Sequence, residues 1–135
     1  METFATVRHV EESKFDATTA SGHTVRLEGG AKETGGSPME MVLAALGGCS
    51  TVTIVEFLEK MRQPFTSLEV ELSAERADDP PRVYTKIHSH YRVGGDVNKD
   101  RVAHAINLTE QKYCSVYTML AKTAEMSHTI EFLEE

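Results

Sequence analysis

An α+β fold, with one long central helix packed on antiparallel sheets, is what this sequence predicts, and three observations predict it. The run Ser37 to Arg62, SPMEMVLAALGGCSTVTIVEFLEKMR, carries a helix-start signal and has no polar face in its first half. Short runs alternating between apolar and polar residues flank it, three before and two directly after. Strand runs and helical runs are grouped rather than interleaved, so few connections read as βαβ windings.

Taken in order, Thr3 to Val10 alternates as a half-buried strand. Phe15 to Thr19 and His23 to Leu27 read as two more, joined by the tight turn Ala20-Ser21-Gly22. Gly29 to Gly36, GGAKETGG, is a polar loop whose glycines match no phosphate-binding spacing.

The central helix opens with a cap at Ser37, Pro38 at the first helical position and Glu40 completing an S-x-x-E capping box. Met41 to Val55 is apolar on all sides, which predicts burial nearly all round. Glu56, Glu59, Lys60 and Arg62 restore a polar face before Pro64 ends the helix. At 1.5 Å per residue it is roughly 35 Å long, more than one small sheet can cover, so a second copy of the chain is expected against it. Gly47 and Gly48 sit in its interior, where each costs about 1 kcal/mol relative to alanine. They strip side chains from the surface beside Cys49.

Leu68, Val70, Leu72 and Ala74 alternate with polar residues as a strand with one wet face. Asp78-Asp79-Pro80-Pro81 turns the chain. Val83, Thr85, Ile87, Ser89 and Tyr91 form the inward set of the next strand, and Gly94-Gly95-Asp96 ends it. Asn98 caps a helix with apolar positions Val102, Ala105, Ile106, Thr109 and Tyr113. Ser115 is the expected cap of a third helix over Val116 to Ala124, with Tyr113, Tyr117 and Met119 in the core. Ser127 to Leu133 closes as a strand.

The 135 residues fit a single domain over 1–135. A net charge of −7, without a basic run, argues against nucleic-acid binding. No signal peptide opens the chain, and the apolar run is too broken for a membrane span, so a soluble protein of the reducing cytoplasm is expected. Two cysteines without a C-x-x-C make neither a disulfide scaffold nor a four-cysteine zinc site.

Cys49 reads either as a small buried hydrophobe or as a reactive thiol in an apolar pocket. A thiol in mid-helix lacks the field of a helix N-terminus and needs a cation or a hydrogen-bond donor to ionise. Lys14, Arg8 and Arg26 are the candidate cations, though each taken singly reads more readily as a solvated surface charge. Cys114 precedes a helix start, where the field favours a thiolate. Two thiols brought together can pass from sulfenic acid to disulfide. Glu40 is a helix cap with carboxylate capacity left for a cation near the thiol. His88 and His90 share one strand face but have no third ligand, so no metal and no cofactor are expected.

The segments GGSPMEMVLAALGGCSTVTIVEFLEKMR and LTEQKYCSVYTMLAKTAEMSHTIEF resemble the OsmC-like superfamily, which includes osmotically inducible protein C and the organic hydroperoxide resistance proteins. The S-P-x-E helix entry, G-G-C-S and K-Y-C-S carry the resemblance, closest to the general OsmC-like branch. It implies an OsmC-like fold in an intertwined homodimer, and a thiol peroxidase acting on a small-molecule hydroperoxide. By that analogy Cys49 is peroxidatic, Cys114 is resolving, and an external dithiol is the reductant. Where the hydroperoxide-resistance branch has a glutamate directly after the proline, this chain has Met39, with Glu40 one residue later. Lys14 stands near the place of that branch's arginine. These departures leave an alternative: a non-catalytic dimer that binds a small apolar ligand or senses oxidants.

Overall fold

The computed structural model describes residues 1–134. Two compact units divide the chain, Met1–Ala44 and Ala45 to the C-terminus.

The first unit is a three-stranded antiparallel meander. β1 (Ala5–Glu11), β2 (Lys14–Thr19) and β3 (Thr24–Glu28) pair in chain order. The β2–β3 turn closes as the sequence predicts, with Gly22 at a φ of 88° that favours glycine. After β3 the Glu28 carboxylate turns inward and organises the polar loop. It accepts hydrogen bonds from the Thr34 hydroxyl (2.6 Å), the Thr34 amide (2.9 Å) and the Glu33 amide (3.2 Å). Helix α1 (Pro38–Lys60) begins in this unit on the expected capping box. The Glu40 amide donates to Ser37 Oγ at 3.2 Å, and the Ser37 amide donates to Glu40 Oε1 at 2.9 Å.

The second unit holds the rest of α1, β4 (Phe65–Arg76), β5 (Tyr84–Gly95), α2 (Lys99–Leu108), a π-helical turn (Thr109–Tyr113), α3 (Ser115–Leu120) and β6 (Glu125–Leu133). α1 ends with Arg62 in a left-handed conformation (φ 56°) and the Gln63 amide bonded back to the Leu58 carbonyl at 2.9 Å. The strand order is β4-β5-β6. The α+β class holds, but this sheet is mixed: β4 runs antiparallel to β5 and β6 parallel to it. The helical segments between β5 and β6 return the chain to the end where β5 began, which a parallel partner requires.

Ile54 and Leu58 of α1, Tyr91 and Val93 of β5, and Val102, Ala105 and Ile106 of α2 make the core of this unit, each fully buried. α1 departs from all-round burial. Its buried positions Leu46, Ser50, Ile54 and Leu58 lie four residues apart along one stripe, with Gly47 beside Leu46, while Val52 is 61% exposed. The sheet and α2 cover one side of the helix and leave the other bare on this chain. By length and composition alone α1 would also suffice to cross a membrane.

Two local irregularities move side chains from their predicted faces. The register of β4 and β5 slips between Glu75 and Arg76, so Tyr84 is buried where Val83 was expected. One extra residue inverts the alternation. The π-turn after α2 likewise inserts a residue, and Tyr113 swings out to 48% exposure instead of continuing the buried face of α2. Met119 is also exposed rather than core.

A candidate redox site at Cys49 and Cys114

Cys49 and Cys114 are brought together within the second unit, with the Cys114 thiol hydrogen-bonded to the Cys49 sulfur. Both are free thiols. Gly47 has a packing reason: a Cβ there would stand 3.0 Å from Leu72 Cδ1 and 3.4 Å from Val70 Cγ1, so its absence lets β4 lie against α1. Gly48 faces open space, with no neighbour within 4 Å of a Cβ built on it. That gap leaves the approach beside Cys49 clear.

Cys49 obtains a helix field after all, from α3 rather than from its own helix. Burial pushes its thiol up, but the Val116 amide, the Cys114 thiol and the Ser115 amide all donate to it. The net effect holds Cys49 below the ordinary thiol value. The hydrogen-bond donors that a mid-helix thiol needs are here supplied by backbone amides of the first turn of α3.

Cys114 behaves oppositely. It is 0% exposed, and it, rather than Ser115, caps α3, its sulfur accepting from the Tyr117 amide at 3.4 Å. Ser50 Oγ lies 3.4 Å from the same sulfur. Burial pushes Cys114 up, reinforced by its bond to Cys49 and opposed by Ser50 and the Tyr117 amide. The start of α3 does favour a thiolate at Cys114, through the Tyr117 amide, but burial outweighs it, whereas at Cys49 the Val116 and Ser115 amides prevail.

A buried polar chain adjoins the pair, and sequence reasoning missed it. The Ser50 and Ser89 hydroxyls face the Tyr91 phenol within hydrogen-bonding reach. Tyr91 donates to Glu110 Oε2 at 3.2 Å, and His128 Nδ1 meets Glu110 Oε1 at 2.6 Å. Burial and the Glu110 carboxylate push the Tyr91 phenol up, which keeps it protonated. The available signal was Glu110 itself, an acidic residue four positions before Cys114 in the run EQKYC.

Lys14 and Glu40 belong to the first unit, where each has partners. Lys14 Nζ is 3.8 Å from Glu11, and Glu40, beyond its capping role, is 4.0 Å from Lys32. Arg26 pairs with Asp16. His88 and His90 lie on the outer face of the second sheet, bonded to Ser127, Thr129 and Glu131. Among the described residues no three histidines, cysteines or carboxylates gather as metal ligands.

The family model described as OsmC-like protein matches residues 29–129. The chain is 42% identical to Protein YhfA of Escherichia coli (strain K12) over 128 residues, covering 94% of this chain and 96% of that protein. The crystal structure of a hypothetical protein from Aquifex aeolicus VF5 superposes with a TM-score of 0.85 at 26% identity, over 99% of each chain. An OsmC like protein from Mycoplasma pneumoniae superposes with a TM-score of 0.86 at 15% identity, again over 99% of each chain, a likeness of fold alone.

Proposed function

Because the chain belongs to the OsmC-like protein family, we propose that it is a thiol-dependent peroxidase that reduces organic hydroperoxides through Cys49 and Cys114. The Cys49 thiolate attacks the outer peroxide oxygen, which keeps its hydrogen, the O–O bond breaks, and the inner oxygen leaves as an alkoxide that takes a proton from solvent to become an alcohol. Cys49 becomes a sulfenic acid, oxidised by two electrons. Cys114 then attacks the Cys49 sulfur, hydroxide leaves and is protonated to water, and a disulfide remains. An external dithiol reduces that disulfide by exchange and restores both thiols.

The observation that carries this reading is the hydrogen-bonded thiol pair in which Cys49 alone is acidified. An alkyl rather than a bare peroxide fits the surroundings. A groove of about 600 Å³, lined by Val52, Val55, Phe65 and Leu68, opens one helical turn from Cys49. Lys14 and Glu40 are the charged residues assigned to the site, a role resting on the family resemblance. The bare side of α1, with Val52 exposed, supports a homodimer in which a second copy covers it. The expected setting is the reducing cytoplasm, where the dithiol is available.

The test is thiol counting after cumene hydroperoxide. The reduced protein is expected to lose two thiols and gain a Cys49–Cys114 crosslink by mass spectrometry, and Cys49→Ser none. Both thiols surviving prolonged exposure would overturn the reading. A second reading, a non-enzymatic oxidant sensor, is favoured by Met39 and Lys14 standing where the hydroperoxide-resistance branch has a glutamate and an arginine. It predicts a single oxidation without turnover when dithiol is supplied.

A further inference from the structure

Disulfide exchange at a fully enclosed sulfur poses a proton problem. Cys114 is 0% exposed, so a thiolate released there on reduction has no water to protonate it. The side chains leading away from it are themselves enclosed: Ser50 is 2% exposed, Tyr91 0% and Glu110 6%. Solvent is reached at His128, whose side chain is 23% exposed. Ser50 Oγ is 3.4 Å from Cys114 Sγ, Tyr91 donates to Glu110 at 3.2 Å and Glu110 is 2.6 Å from His128, and the Ser50 hydroxyl faces the Tyr91 phenol between them. The chain draws on α1, β5, the π-turn and β6, and the π-turn that carries Glu110 ends at Cys114. Such turns recur at functional positions. A buried carboxylate is also costly to keep for packing alone.

We infer that Ser50, Tyr91, Glu110 and His128 form a proton path that serves the buried thiol of Cys114 and opens to solvent at His128. The inference rests on the peroxidase reading for its place in a cycle, but not for its chemistry. On reduction, the dithiol sulfur bonds to Cys49 Sγ, the S–S bond breaks, and its electron pair stays on Cys114. Cys114 takes the Ser50 proton, Ser50 takes that of Tyr91, and the Tyr91 phenolate takes one that His128 passes from water through the Glu110 carboxylate. When the disulfide forms, the same proton leaves by the reverse route, while the departing hydroxide takes one from solvent beside Cys49. Ser50 touches the reacting sulfur; Tyr91, Glu110 and His128 are positioning residues that act through it. The titratable groups facing Glu110 are Tyr91 from β5, His128 from β6 and Tyr117 from α3, with Cys114 and Cys49 beyond Ser50.

The experiment separates this from the peroxidase reading by making the Cys49–Cys114 disulfide with diamide, without any peroxide, in the full-length chain. Its reduction by dithiothreitol is then followed across pH. Tyr91→Phe and His128→Ala are each expected to slow reduction at least about a hundredfold, the low end of acid–base assistance. Added imidazole should restore His128→Ala but not Tyr91→Phe/His128→Ala, because the small base replaces only the outer end of the path. Reduction of His128→Ala at the wild-type rate, or slowing that imidazole leaves untouched, would overturn the inference. Should Tyr91→Phe not fold, Glu110→Gln/His128→Ala takes its place as the variant imidazole must fail to rescue. Inertness to hydroperoxide with an intact imidazole effect would instead sink the peroxidase reading alone.

Discussion

The Cys49 and Cys114 thiols hydrogen-bond to each other yet are driven in opposite directions, Cys49 below the ordinary thiol value and Cys114 above it. Their surroundings divide them. Cys114 is enclosed and holds its proton, which it offers to Cys49. Cys49 also receives two amides from the start of α3. A pair divided in this way presents one nucleophile and one proton-bearing partner, the asymmetry that ordered oxidation and resolution require.

The amides at the start of α3 should therefore control Cys49 reactivity. Ser115→Pro removes one donor without breaking the helix, because proline is tolerated at a first helical position. Cys114, with φ −81° and ψ 106°, already has a backbone compatible with a following proline. The pH profile of Cys49 alkylation by iodoacetamide is expected to move upward. The rate at neutral pH should fall about tenfold, matching the ~1.5 kcal/mol of one hydrogen bond to a charged group. An unmoved profile would mean that the amides do not set the thiol.

Much of the fold was legible because its signals are local. The S-x-x-E box, Pro38 and the strand alternation each depend on neighbours in sequence, and the capping box and element order appear as read. Tyr84 and Tyr113 were placed on the wrong faces because a bulge and a π-turn each insert a single residue, and periodicity carries no mark of an insertion. The thiol pair was legible only through resemblance. The donors to Cys49 come from amides 66 and 67 positions further along the chain, a tertiary fact that side-chain chemistry in the sequence does not encode. Tyr91 was read only as an inward strand position, and Glu110 and His128 were not singled out, because their meeting depends on β5, β6 and the π-turn packing together.

The bare side of α1 carries its own prediction. Val52 is 61% exposed and lies off the buried stripe of Leu46, Ser50, Ile54 and Leu58. Val52→Asp should leave the core of the second unit intact while placing a charge where a second copy is proposed to pack. Sedimentation is expected to shift from dimer toward monomer, with far-ultraviolet circular dichroism retained. A wild-type chain that sediments as a monomer would remove the dimer proposal.

Gly47 should be intolerant of size. A Cβ there already stands 3.0 Å from Leu72 Cδ1, so Gly47→Val forces β4 away from α1. Overpacking of this kind costs about 1–3 kcal/mol, read from denaturant unfolding. Adding Leu72→Ala should recover part of that loss by opening space opposite the new methyl groups. Equal stability of Gly47→Val and wild type would show that the α1–β4 approach does not need glycine.

In the first unit the acid limb of stability should report on Glu28. The Thr34 hydroxyl and amide, then the Glu33 amide and the charge of Lys14, lower its carboxyl to about 2 against the opposing effect of burial. The unfolded chain titrates near about 4.3. Ionised Glu28 therefore stabilises the loop fully above that value, and the contribution disappears as pH falls toward the folded value. Amide exchange at Glu33 and Thr34 is the local readout, since both amides donate to this carboxylate. Protection at these two amides should fall as pH drops below about 4, after correction for intrinsic exchange. Glu28→Gln should show low protection already at neutral pH and no such pH dependence. Strong protection in Glu28→Gln at neutral pH would mean that the loop is held by the Leu27–Gly36 bridge rather than by the carboxylate.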